Sequence, residues 1–142
     1  MLETIYHDDS ILALIIRHAY RADGIKFFTP DNFSQQLGYM NRPAGYVIPP
    51  HTHNLVPRTV EWTQEVLYIK TGKVRLDLFT AQKDYLRSAI LEAGDVVLLA
   101  HGGHGLFILE DAEIIEVKQG PYAGEADKVR FLPIDNTEAR FE

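Results

Sequence analysis

The chain has 142 residues, of which 46% are hydrophobic and 24% charged, with a formal net charge of −6 and no cysteine. That length suits one domain with a real buried core. The acidic balance argues against nucleic acid or an anionic membrane surface as partner, since phosphates require a basic face, and the missing cysteines exclude disulfides, thiolate metal sites and cysteine nucleophiles. Met1 to Ser10 holds acids and a histidine rather than a basic stretch followed by an apolar run, so no secretory signal is predicted. The longest apolar run, Ile11–Ile16, falls far short of the roughly 20 residues that span a bilayer. A soluble, cytoplasmic protein is expected.

The predicted elements are strands throughout. Short runs rich in Val, Ile, Leu, Tyr and Phe alternate with Gly, Asp and Asn signals, the pattern of an all-β sandwich or barrel. Ile11–Tyr20 reads as a strand, turned at Ala22-Asp23-Gly24 and followed by Ile25–Thr29. Asp31–Gln36 has room for one helical turn, and strands over Gln35–Met40 and Tyr46–Ile48 follow between prolines. Glu65–Lys70 and Val74–Thr80 read as a hairpin turned at Thr71-Gly72; Leu86–Leu91 and Val96–Ala100 read as another, turned at Ala93-Gly94-Asp95. Gly105–Leu109 and Glu113–Gln119 form the last pair, joined at Glu110-Asp111-Ala112. Alternation puts Val74, Leu76 and Leu78 on a dry face and Arg75 and Asp77 on the other. The chain reads as one domain over 1–142, with N-terminal strands over 10–40, a barrel over about 45–118 and a polar tail over 120–142 lying across it.

Four of the six histidines fall in two short clusters. In Pro49-Pro50-His51-Thr52-His53, a strand would point both imidazoles to one side, so they could converge on a single point. The second cluster is His101-Gly102-Gly103-His104. His7 and His18 have no partner in the pattern and read as ordinary histidines.

The spacing around these clusters resembles the cupin superfamily. Gly45 lies six positions before His51, and Glu65 seven positions before Gly72, matching the glycine, His-x-His, glutamate and glycine of the first cupin motif. Asn54–Gln64 is a longer gap than usual and reads as an inserted loop; Glu61, within it, misses the spacing to Gly72. The second motif is matched by Gly94, Gly102 and His104, with Ala100 in place of its proline and the histidine one residue early; His101 is the rival.

The resemblance implies a double-stranded β-helix, a cupin-type jelly-roll barrel. It also implies one divalent metal ion (Fe, Mn, Ni, Co or Zn) held by His51, His53, Glu65 and His104. Three imidazoles and a carboxylate can surround such an ion and leave positions open for water or substrate. Leu67, Ile69, Val74, Leu76 and Leu78 are expected to wall a dry pocket beside it. Arg58 and Tyr46 are the candidate substrate-binding residues, Arg58 suited to an anionic group.

The function so implied is a metal-dependent enzyme acting on a carbohydrate-like or other small polar metabolite. The alternatives are a metal-free sugar epimerase or isomerase with a histidine base, or a non-enzymatic barrel that binds a small ligand. Trp62 either belongs to a lid over the site or packs on the barrel rim. A homodimer is expected, and Ile11–Ile16 could pair with a second chain as an edge strand.

Overall fold

The computed structural model describes residues 1–142. Strands make up 45% of the chain and helix 5%, arranged as a curled antiparallel half-barrel. In chain order the strands are β1 (Leu2–His7), β2 (Ser10–Ile16), β3 (Gly24–Phe27), β4 (Gly38–Asn41), β5 (Glu65–Phe79), β6 (Tyr85–Glu92), β7 (Val96–Leu99) and β8 (Gly103–Lys118). β3 and β4 form a separate hairpin, while the other six make one sheet.

Two long strands organise that sheet. β5 and β8 pair antiparallel from Glu65↔Lys118 to Phe79↔Gly103. The sequence reading placed turns at Thr71-Gly72 and at Glu110–Ala112; instead, each strand passes straight through, and the ladder shifts register between Ile69 and Val74. Extra residues in such a ladder bend and twist it without ending it. Gly72 takes φ +85°, and a Cβ there would lie 2.1 Å from the Asp111 carbonyl oxygen, so only glycine allows the ribbons to close at the bend.

The bend splits the sheet into two working halves. The first half of β5 lies between β8 and β7, with Glu65↔Leu99 and Tyr68↔Val96 in register. Its second half lies between β8 and β6, with Lys73↔Glu92 through Phe79↔Tyr85. β7 then pairs β2, and β2 pairs β1. Ile11–Ile16 is therefore an interior strand between β1 and β7 and not a dimer edge.

The concave face carries the main core: Ala13, Ile15, Leu67, Ile69, Val74, Leu76, Leu78, Ala89, Leu91, Val97 and Leu99, with Ile5. Leu67, Ile69, Val74, Leu76 and Leu78 are thus the barrel's own packing and do not wall an open pocket. The other face of β2 and β7 buries Leu14, Ile16 and Leu98 under Tyr20, Phe28, Phe33 and Leu37. Residues 31–36 form turns and bends rather than a helical turn.

The turn after β6 falls where Ala93-Gly94-Asp95 was expected. Asp95, fully buried, locks it by accepting from the backbone N–H of Glu92 and of His18 and from Arg17 Nη1, each at 2.9 Å. The tail beyond residue 120 holds two short 3-10 turns, Gly124–Asp127 and Asn136–Glu138. It docks on β6 through Arg140, whose N–H donates to the Tyr85 hydroxyl at 2.7 Å.

Residues 42–63 form no strand, and every one of them is exposed. Tyr46–Ile48, read from the sequence as a strand, lies within this arm.

Candidate functional site

Glu65 opens β5 on the same face as Leu67 and Ile69, because residues two apart on a strand share a side. His104 sits opposite Leu78 near the far end of the same ribbon, and cross-strand partners share a face. The bend at Gly72 curls this ribbon until its two ends meet. His104 Nε2 then stands 3.1 Å from Glu65 Oε2. Lys118, the register partner of Glu65, places its ammonium 3.3 Å from Oε1.

Glu65 is buried, and its carboxyl is drawn down from 4.5 to about 2. The largest cause is the hydrogen bond from His104; the charge of His104 and the contact with Lys118 add to it, while burial works in the opposite direction. The same pairing holds the Lys118 ammonium above its ordinary value. The result is an ionised carboxylate clamped between an imidazole and an ammonium, at a site open enough to leave His104 35% exposed.

A cavity of about 870 Å³ runs from this pair along the first half of β8 and under the tail. Arg75 and Asp77 also line it. The sequence suggested that they face solvent, yet both are buried, paired two positions apart at 2.8 Å. Ser88 donates to Asp77 at 2.5 Å, and Asn136 of the tail accepts from Arg75 at 3.1 Å. A buried pair so satisfied escapes the desolvation penalty of an unpartnered charge. Lys128, Arg130 and Phe131 of the tail complete the lining.

The four expected metal ligands divide into two pairs. Glu65 and His104 are in contact, while His51 and His53 lie on the exposed arm. The two arm histidines stack edge-on at 5.3 Å between ring centroids, and His51 Nδ1 lies 3.0 Å from the Pro49 carbonyl oxygen. No group of three or more His, Asp or Glu side chains is gathered where it could hold a metal ion. Arg58 and Tyr46 are also on the arm and do not line the cavity; the Tyr46 ring lies under Arg42, 4.4 Å from its guanidinium carbon. His101 packs against Trp62, with ring centroids 4.1 Å apart, so Trp62 rests on the rim and His101 is engaged away from Glu65.

Sequence reasoning missed three participants. Lys118 could be found only from the β5–β8 register. Arg75 and Asp77 were assigned to solvent because strand alternation distinguishes two faces without saying whether the second is covered.

Comparison of the chain with protein-family models, with curated proteins and with solved structures gives no match.

Proposed function

We propose that this chain is a small metal-binding barrel of the cupin kind. In this reading the Glu65–His104 pair is half of a divalent-ion site, and a carbohydrate-like or other small polar metabolite binds beside it. The observation that carries the reading is the 3.1 Å contact between Glu65 and His104. These residues come from two separate motifs at distant points in the chain, and the fold brings them to one spot on the concave face. A carboxylate oxygen and an imidazole nitrogen are fitting donors for Zn, Mn, Fe, Co or Ni. The pair alone does not make a cage. Two donors are too few, and Lys118 already neutralises one carboxylate oxygen. This reading assigns the remaining donors to His51 and His53.

When bound, such an ion would act as a Lewis acid toward a carbonyl or hydroxyl of the ligand. The chain's own contribution is then positional. His104 and Lys118 hold the Glu65 carboxylate ionised, and Lys128 offers a cationic head to an anionic substituent, while Arg130 is held by Glu125 at 2.7 Å. The double-stranded β-helix belongs to the same proposal. The half-barrel already has two sheet halves joined by a bent ribbon, and a further strand beside the first half of β8 would close it.

The second reading is metal-free. An imidazole hydrogen-bonded to a buried carboxylate is also the arrangement of a histidine general base and its orienting partner. Elemental analysis of protein purified without a histidine tag separates the two. The metal reading expects a stoichiometric divalent ion in the parent protein that is lost in Glu65→Gln and in His104→Ala. Protein that folds, turns over a sugar substrate and carries no metal would establish the second reading instead.

A further inference from the structure

The tail crosses the cavity as a span tied at both ends. At one end Thr63 Oγ1 donates to the Asp127 carboxylate at 2.5 Å, two residues before Glu65 opens β5. At the other, Arg75 Nη1 donates to Asn136 at 3.1 Å, and the bond from Arg140 to Tyr85 follows. Every residue from Asp127 to Asn136 lines the cavity.

Between the ties the span is lightly held. The hydrogen bonds of residues 128–135 all stay within the tail. The Lys128 N–H donates to the Glu125 carbonyl at 3.3 Å, Arg130 donates to the Glu125 carboxylate at 2.7 Å, and Asp135 bonds to Thr137 and Glu138. Val129 and Leu132 are 72% and 87% exposed. One side chain turns inward. Phe131 meets Phe79 edge-on at 5.0 Å between ring centroids, and its ring lies 3.1 Å from where a Cβ on Gly103 would stand. Much of the remaining lining comes from β5 and β8, which are fixed to each other by their ladder. A segment with few buried contacts and no hydrogen bond to the sheet opens at low free-energy cost, so the strap is the wall that can move.

We propose that residues 128–135 are a strap that lifts from and closes over the cavity, with Phe131 as its latch. Closed, Phe131 rests on Gly103, one residue from His104, and the strap keeps water from a ligand bound beside the Glu65–His104 pair. Lifted between its ties, it uncovers Gly103 and Phe79 and lets the ligand enter and leave. The strap serves the pair equally whether that pair holds a metal ion or acts without one. Losing the Arg75–Asn136 bond moves the second tie back to Arg140, which lengthens the free span and favours the lifted state.

The absence of cysteine allows a direct test. In the full chain a single thiol is placed under the latch as Gly103→Cys, and its labelling by dithionitrobenzoate is followed with and without Asn136→Ala. The thiol should label far more slowly than a free thiol when Asn136 is present, and Asn136→Ala should accelerate it roughly tenfold. Ala13→Cys, in the main core, reports unfolding of the whole domain and should stay equally slow in both backgrounds. A Gly103→Cys thiol that labels at the free-thiol rate with Asn136 present, or at the same rate in both backgrounds, overturns the strap. So does an acceleration that Ala13→Cys matches, because the whole domain then opens. Where Gly103→Cys does not fold, Gly105→Cys decides by the same outcomes, since its Cβ would meet only Phe79, at 4.0 Å.

Discussion

Gly72→Ala is the sharpest test of how the ribbon is bent. The substitution meets two separate costs. At φ +85° an L side chain is strained, by about 1–2 kcal/mol. The new Cβ would also lie 2.1 Å from the Asp111 carbonyl oxygen and 2.7 Å from the Ala112 Cα. Both are backbone atoms, so no rotamer change relieves the overlap and the strands must separate, a further cost of about 1–3 kcal/mol. Lower entropy of the unfolded alanine chain returns roughly 0.4–1 kcal/mol. The expected loss is therefore about 2–4 kcal/mol.

Gly124→Ala is the control. Gly124 also has a positive φ, +67°, but nothing lies within 4 Å of its added Cβ, so only the backbone term remains, about 0–1.5 kcal/mol net. Urea denaturation at one fixed protein concentration reads both variants. With a slope of about 2 kcal/mol/M, Gly72→Ala should lower the midpoint by roughly 1–2 M and Gly124→Ala by much less. A Gly72→Ala midpoint no lower than that of Gly124→Ala would refute the close approach of the two strands at the bend.

The remaining predictions concern charge. In chelator-treated protein, Glu65 titrates near about 2 when folded and near 4.5 when unfolded, so its contribution is present above the higher value and is lost as pH falls between the two. The parent should exceed Glu65→Gln in stability by about 1–3 kcal/mol at pH 6, discounted for the partly exposed His104 and Lys118; a gap that persists unchanged to pH 3 would show that the carboxylate is not held by its cations. Asp95→Ala should cost about 1–3 kcal/mol, since it leaves the backbone N–H groups of Glu92 and His18 without their buried acceptor, while Arg17 keeps its pair with Glu3. Asp95→Asn should cost less, because one acceptor remains; equal denaturation midpoints for the two would argue against the turn lock.

The β class and most of the strands were legible because alternation and turn residues are local signals. β6, β7 and the turn between them fall where Leu86–Leu91, Val96–Ala100 and Ala93-Gly94-Asp95 indicated. The two misplaced turns share one cause. Thr71-Gly72 and Glu110–Ala112 have turn chemistry, but the glycine serves a β-bulge inside a continuous ribbon, and only pairing with the other strand distinguishes the two. β1 was passed over because its acids and its histidine dilute the apolar pattern, while β2 supplies the partner that makes it a strand. Motif spacing identified Glu65 and His104, which the fold then brings into contact. It was silent on Lys118, which depends on long-range register, and on the Arg75–Asp77 pair, which depends on what the tail covers. His51 and His53 satisfy the spacing equally well, yet they lie on the exposed arm, because spacing along a chain does not fix what a loop packs against.

Anomalous diffraction from crystals of the full-length protein loaded with Zn²⁺ tests the central claim most directly. The account predicts a single strong peak per chain at the Glu65–His104 pair, within about 2.0–2.2 Å of a Glu65 oxygen and a His104 nitrogen, with the imidazoles of His51 and His53 as the remaining protein ligands. An anomalous map with no peak there, and Glu65 still bonded directly to His104, would contradict it.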